Sequence, residues 1–214
     1  MSEEEPKPRR RQARGERRIA QLLQAAADVF CANGYTATST NAIAREASVS
    51  PGTLYQYFPN KEAIAIELGE RLLGEMRAAH GQAFTPENLA LPLPQMIDTV
   101  LDPLIEFNCQ NPAFLALMHG SEVPGRIAEE HDALHASLLA QVGDLLAHYL
   151  PDSAAAERAR IADMTFAVVK AGLQLVLAAP AGPERDAVVV EMKRAVQRYL
   201  APIVGGALTT IPSP

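Results

Sequence analysis

Between residues 40 and 61 the sequence TNAIAREASVSPGTLYQYFPNK sets side chains suited to reading a polyanion at helical spacing. Gly52 has no side chain to hold the backbone off a surface. Thr53 can meet a base edge or a thymine methyl, and Gln56 offers the donor and acceptor that an adenine edge requires. Tyr55 and Tyr57 carry hydroxyls on rigid arms and Lys61 a charge, which suits all three to phosphate oxygens. Thr40, Arg45, Ser50 and Pro51, with Arg14 and Arg17 upstream, complete the residues expected at the nucleic acid. The chemistry is recognition rather than bond making, since no glycine-rich phosphate loop or strained nucleophile turn is present.

The elements that must carry these side chains follow from the same stretch. Thr40 is a suitable N-cap for a short helix whose Ile43, Ala44 and Ala47 form a small apolar face. Ser50 is a second N-cap, and Pro51 at the first helical position forgoes only an N–H that would be unpaired anyway. Leu54 and Phe58, four residues apart, point inward. Phe58-Pro59 closes this helix and Asn60 caps the next. Two short helices joined by so short a link must cross rather than run antiparallel, which is the helix-turn-helix, and the second presents its N-terminal end to the major groove. A supporting helix is expected over 16–33, with Ile19, Leu22, Leu23, Ala26, Ala27 and Phe30 on its buried face and Gly34 as its stop.

Charge is segregated in the same sense. Residues 6–61 hold nine Lys or Arg against three acidic residues, whereas residues 62–214 hold ten against nineteen, within a net charge of −6. A basic end on an acidic body orients the molecule on a polyanion and supplies a salt-dependent part of affinity. Residues 1–15 read as a disordered basic arm able to lay arginines in a minor groove. The 214 residues, 48% hydrophobic and 21% charged, are those of a globular chain with one or two domains. Two distant cysteines, a charged N-terminus and the absence of a long uncharged apolar run point to a cytoplasmic protein with reduced thiols and no membrane partner.

From about residue 17 to 73 the chain resembles the DNA-binding domain of the TetR family of bacterial transcription regulators. The matching residues are the helix IAQLLQAAADVFCANGY, the Thr-Ser-Thr entry to the second helix, Ile43-Ala44, Val49-Ser50, Gly52-Thr53-Leu54-Tyr55, Tyr57-Phe58 and Asn60-Lys61-Glu62. Ser48 departs from the pattern, which usually has glycine in the turn, and serine tolerates a left-handed backbone poorly. The resemblance implies a homodimer held by a four-helix bundle of the last two helices of each subunit. It also implies an effector in the C-terminal domain that shifts the helix at 60–81 and releases a palindromic operator.

The remaining sequence reads as helices over 60–81, 94–110, 112–118, 124–149, 152–179 and 182–204, with a proline-broken connector over 84–94. The expected fold is all-α, nine helices in two domains. Residues 16–61 form the helix-turn-helix domain, 62–204 the ligand-binding and dimerisation domain, and 205–214 a loose tail. Val169, Leu173, Val176, Leu177, Met192, Val196 and Tyr199 are expected at the dimer contact. Met96, Phe107, Phe114, Met118 and Met164 suit a pocket for a small apolar effector, with Asn108, His119, His131, His135 and Lys170 to orient it. No cofactor is called for. His131 and His135 also have the spacing of a metal pair that Cys109 or Glu122 could complete. The competing class is therefore a helical small-molecule enzyme or metalloprotein with an incidental basic tail.

Overall fold

The computed structural model describes residues 8–81, 83, 85, 88, 91–118 and 124–208. Among them lie nine helices and no strand: α1 (Pro8–Ala37), α2 (Thr40–Glu46), α3 (Pro51–Tyr55), α4 (Lys61–Gly81), α5 (Leu93–Gln110), α6 (Pro112–Met118), α7 (Gly125–Tyr149), α8 (Ala155–Ala178) and α9 (Pro183–Leu208). The chain divides into two compact units, Met1–Leu72 with Pro112–Glu129 and Leu73–Asn111 with Glu130–Pro214.

In the first unit α1 supplies the floor. Leu22 and Phe30 of α1, Ile43 of α2, Leu54 of α3 and Ile64 of α4 are all fully buried, so each short helix rests an apolar residue on the same core. Gly34 breaks α1 with φ 74° and ψ 166°, a backbone state open to glycine. Buried Thr38 fixes the resulting bend by donating its hydroxyl to the Gly34 carbonyl at 2.7 Å. The expected stop at Gly34 is thus a sharp kink with one further turn beyond it.

Several boundaries differ from the sequence reading, among them the end of α3, which stops at Tyr55 short of Phe58-Pro59. α1 begins at Pro8 rather than near residue 16, so the segment expected to be a disordered arm is helical from Pro8 onward. Pro8 fits the first turn of a helix, and the Arg, Gln and Ala that follow are good helix formers. Residues 1–7 lie outside the described residues, as do 209–214 of the expected loose tail, while α9 continues to Leu208. The division of the chain is also not a single cut at residue 61. α6 packs against α1 and buries Ala113, Phe114 and Leu117. Ile127 at the start of α7 lies so close to α4 that a Cβ on Gly69 would fall 2.9 Å from its Cδ1, and Arg126 pairs with Glu70 at 2.8 Å. These contacts join segments far apart in sequence, which no local pattern announces.

The second unit is built on α5, α8 and α9. Ile97, Leu101 and Ile105 of α5 pack with Ile161, Val169, Leu173 and Val176 of α8 and with Met192, Val196 and Leu200 of α9. Gly172 allows α8 and α9 to close on each other: a Cβ there would lie 2.2 Å from Met192 Cγ and 2.5 Å from its Sδ. Lys193 of α9 reaches Asp98 at 2.8 Å and Asp102 at 2.5 Å, tying α9 to α5 at the rim.

Gly172→Ala forces Met192 to move within a packed core. It is expected to cost about 1–3 kcal/mol in chemical denaturation, the usual range for overpacking. Adding Met192→Ala should give a double mutant that loses less than the two single losses together. Strict additivity would show that the two positions do not compete for space.

Candidate nucleic-acid interface

The ends of α2 and α3 determine how the interface is held. Ser39, not Thr40, caps α2, its hydroxyl accepting from the Ala42 amide at 3.2 Å. Thr40 is already the first helical residue, and its hydroxyl instead lies 2.9 Å from that of Tyr55. At the other end of α2 the amide of Val49 bonds the Ala44 carbonyl at 2.9 Å and the amide of Ser48 bonds the Arg45 carbonyl at 3.0 Å. That pair of crossed bonds is a Schellman closure, and it requires the residue at Ser48 to be left-handed. Ser48 indeed has φ 52°, so the departure from glycine read in the sequence is a serine held in a conformation that suits glycine better. Gln21 of α1 satisfies a further carbonyl, donating its amide to Ala47 at 2.7 Å.

α3 then starts as the sequence suggests. The Ser50 hydroxyl accepts from the Thr53 amide at 3.1 Å and lies 2.9 Å from the Thr53 hydroxyl, with Pro51 in the first turn. Leu54 and Phe58 are buried beneath, while Pro51, Gly52 and Gln56 are exposed and Thr53 is half-buried. Tyr55 is 51% exposed and Tyr57 37%, which places both rings at the surface rather than in the core. Arg14, Arg17 and Arg45 are exposed as well, the first two on α1. The result is an outward N-terminal end of α3 carrying donors and acceptors without a competing apolar cover.

Lys61 is engaged elsewhere. Its ammonium donates to the Tyr35 carbonyl at 2.8 Å and the Thr36 carbonyl at 3.2 Å, and stands 4.4 Å over the Tyr35 ring. A cation on the carbonyl end of α1 is favoured by the helix dipole. Lys61 therefore ties the start of α4 to the end of α1 instead of standing free for a phosphate. The neighbouring Asn60 caps α4 as expected, accepting from the Ala63 amide at 2.8 Å. The sequence places Gln21, Ser39 and Tyr35 only within matching motifs and gives none of them a role at the interface. Gln21 and Tyr35 act on partners 26 residues away, beyond the reach of any spacing rule.

The residues expected to form an effector pocket are divided between the two units, and within the second unit His131, His135 and Lys170 lie near enough to influence one another. Phe114 and Met118 belong to α6 in the first unit, and His119 lies outside the described residues. Met164 is 52% exposed and Lys170 is exposed. Met96, Phe107 and Asn108 are buried in α5; the Asn108 amide donates to the Leu104 carbonyl at 2.8 Å, and its Oδ1 has no partner among the described residues. His135 meets Phe166 edge to face with ring centroids 4.2 Å apart. Burial lowers the His131 pKa below the ordinary histidine value; Asp132 opposes that, and His135 and Lys170 reinforce it. Among the described residues no three His, Cys, Asp or Glu groups come together as a metal site would need.

Five of the seven residues expected at the dimer contact are taken up by their own chain. Val169, Leu173, Val176, Met192 and Val196 are buried in the α8–α9 seam of their own chain, and Leu177 and Tyr199 are half-buried. The exposed faces of these helices instead carry Met164, Leu175 and Val190.

Two substitutions test how the interface is held. Ser48→Gly should raise the thermal midpoint, because a left-handed residue other than glycine costs about 1 kcal/mol or more. A lowered midpoint would show that the serine hydroxyl contributes more than the strain costs. Lys61→Met should lower stability by about 1 kcal/mol through loss of its charged bonds to α1, read in the absence of DNA. An unchanged midpoint would return Lys61 to a phosphate role.

Known proteins fit this geometry. A model of bacterial regulatory proteins of the tetR family matches residues 22–68, and a model of the tetracyclin repressor-like C-terminal domain matches residues 92–200. The uncharacterized HTH-type transcriptional regulator YhgD of Bacillus subtilis (strain 168) is 35% identical over 86 residues, which is 40% of this chain and 44% of the relative. That alignment spans less than half of the relative's length. A TetR-like transcriptional regulator from Rhodococcus sp. RHA1 matches with a TM-score of 0.68 at 22% identity, over 86% of this chain and 96% of that one. FadR from Bacillus subtilis in complex with stearoyl-CoA matches with a TM-score of 0.61 at 16% identity, over 83% and 96%. At these identities the two structures share the fold alone. With both family models matched, one of them over about half of its length, the chain belongs to the TetR family of bacterial transcriptional regulators, proteins that bind DNA through a helix-turn-helix and are not enzymes.

Proposed function

We propose that the chain is a cytoplasmic, effector-responsive repressor that binds a palindromic operator as a homodimer. The observation that carries this reading is the exposed start of α3. Gly52 is exposed and Thr53 half-buried at a helix start fixed by Ser50 and by the Schellman closure at Ser48, and Gln56 is exposed one helical turn on, at the C-cap of α3. Thr53 and Gln56 read base edges, and Tyr55 and Tyr57 meet phosphate on either side. Two such helices related by a two-fold axis would enter successive major grooves roughly 34 Å apart, hence a palindrome.

Support for the dimer comes from what the seam leaves uncovered. Met164, Ala167, Ala171, Leu175 and Ala178 recur at three- and four-residue steps on α8 and are all exposed, with Val190 exposed on α9. α8 is by length and composition apolar enough to cross a membrane, with a mean hydropathy of 1.6 over eighteen residues and one third of that window buried. A second copy covering the remaining face accounts for that character without a bilayer, and small residues allow the close approach of four helices. For the effector, α4 is one continuous helix from Lys61 to Gly81. A ligand favouring a conformation with α4 displaced lowers operator affinity by its difference in affinity for the two states, a few kcal/mol at most. FadR of Bacillus subtilis, of the same fold, is known with stearoyl-CoA, which makes a ligand with an apolar tail a reasonable first choice for screening.

A mobility-shift assay with DNA upstream of the gene tests the central reading, and absence of any shift would overturn it. Thr53→Ala and Gln56→Ala should alter preference among operator variants by about 1–3 kcal/mol at one base pair, whereas Tyr57→Phe should weaken all sequences alike. Equal loss on operator and random DNA for the first two would remove their base-reading role. Leu175→Glu puts a charge into the proposed dimer face and should give a folded monomer in analytical ultracentrifugation. A dimer of unchanged affinity would move the interface elsewhere.

A further inference from the structure

The last turns of α4 and the middle of α7 enclose a cleft of about 240 Å³ lined by Arg77, His80, Leu134, Ser137, Leu138 and Gln141 among others. None of the residues singled out for a pocket in the sequence lines it. It is smaller than the roughly 300–1,000 Å³ of sites for drug-sized ligands. Its occupant is therefore small.

His80 determines the polarity of the cleft. The residue is only 5% exposed, and burial lowers its pKa below the ordinary histidine value, so the ring is neutral near pH 7 with a single N–H. Nδ1 is buried with no hydrogen-bond partner among the described residues. A buried N–H without an acceptor is rarer and more costly than an unused lone pair, so the proton belongs on Nε2 and the lone pair on Nδ1. His80 thus offers a donor on the side of the ring away from the buried nitrogen. Arg77 adds further donors, being only loosely paired with Glu130 at 3.6 Å and about half exposed. Gln141 and Ser137 can donate as well, while Leu134 and Leu138 are apolar. Donors and one full cation at a short apolar wall match a group with two acceptor oxygens and a negative charge on a short hydrocarbon.

We propose that this cleft is a binding site for a small monocarboxylate, whose oxygens take the His80 Nε2–H and the Arg77 guanidinium while its tail lies on Leu134 and Leu138. The assignment rests on the reading of the chain as effector-responsive and specifies where and what it senses. Because Arg77 and His80 sit on α4, an occupant bears directly on the helix whose first residue, Lys61, holds the end of α1.

Hexanoate and 1-hexanol, equal in tail length and different in headgroup, are the probes, applied to the full-length protein by calorimetry and by the imidazole resonances of His80. Hexanoate should bind and shift the His80 Nε2 signal, with 1-hexanol weaker by about tenfold or more, the usual effect of losing a charge-assisted hydrogen bond. His80→Phe should weaken hexanoate by a similar factor and leave 1-hexanol unchanged. Since His80→Phe could disturb folding, Ser137→Trp, made at an exposed position on the rim, provides a plug that should abolish hexanoate binding. Equal binding of the two probes, hexanoate affinity unchanged by His80→Phe, hexanoate binding that survives Ser137→Trp, or no His80 shift on titration overturns the site. Operator binding is measured separately. Hexanoate bound in the cleft with unchanged operator affinity would sink the effector reading and leave the site standing. Operator release by another ligand, with no hexanoate binding, would do the reverse.

Discussion

Helices as short as α2 and α3 are dominated by their ends, where backbone groups lack partners within the helix. The DNA-facing unit depends on satisfying those groups, and nearly every joint in it does so. Ser39, Ser50 and Asn60 accept from the first turns of α2, α3 and α4. Ser48 turns left-handed to close α2, Gln21 takes the Ala47 carbonyl, and Lys61 takes the last carbonyls of α1. The fully buried Ile43 and Leu54 then anchor each short helix to α1. Buried apolar area supplies the driving force, and the satisfied ends supply the angle at which α3 meets solvent.

The second unit solves a different problem. Its long apolar helices bury one face within the chain, and Gly172 helps decide which face that is. By letting Met192 press against its backbone it draws α8 and α9 together along Val169, Leu173 and Val176. Those residues are then spent on the fold. The stripe through Met164, Ala171 and Leu175 stays exposed on the opposite side of α8, and it is the face proposed for association.

α4 belongs to both accounts. Its first residue reaches back to α1 through a charged contact, and its last turns carry a neutral, buried histidine beside a cleft rich in hydrogen-bond donors. If the proposed occupant distinguishes between two positions of that helix, α4 is a physical route by which its binding would be felt at α1.

The all-α class and the nine helices among the described residues were legible in the sequence itself, because caps, prolines and three-to-four spacing act within a few residues: Ser50-Pro51 and Asn60 each do in the structure what their chemistry implies. The outward set on α3 was legible for the same reason, since Leu54 and Phe58 fix which side faces in. Tertiary structure alone decided what depends on distant partners. It capped α2 with Ser39 rather than Thr40, whose hydroxyl pairs with Tyr55, and it drew Lys61 onto carbonyls 25 and 26 residues away. It also placed α6 with α1, and it turned Val169, Leu173, Val176, Met192 and Val196 into the seam of their own chain. An apolar periodicity states that a face will be buried; only the packed chain determines which neighbour buries it.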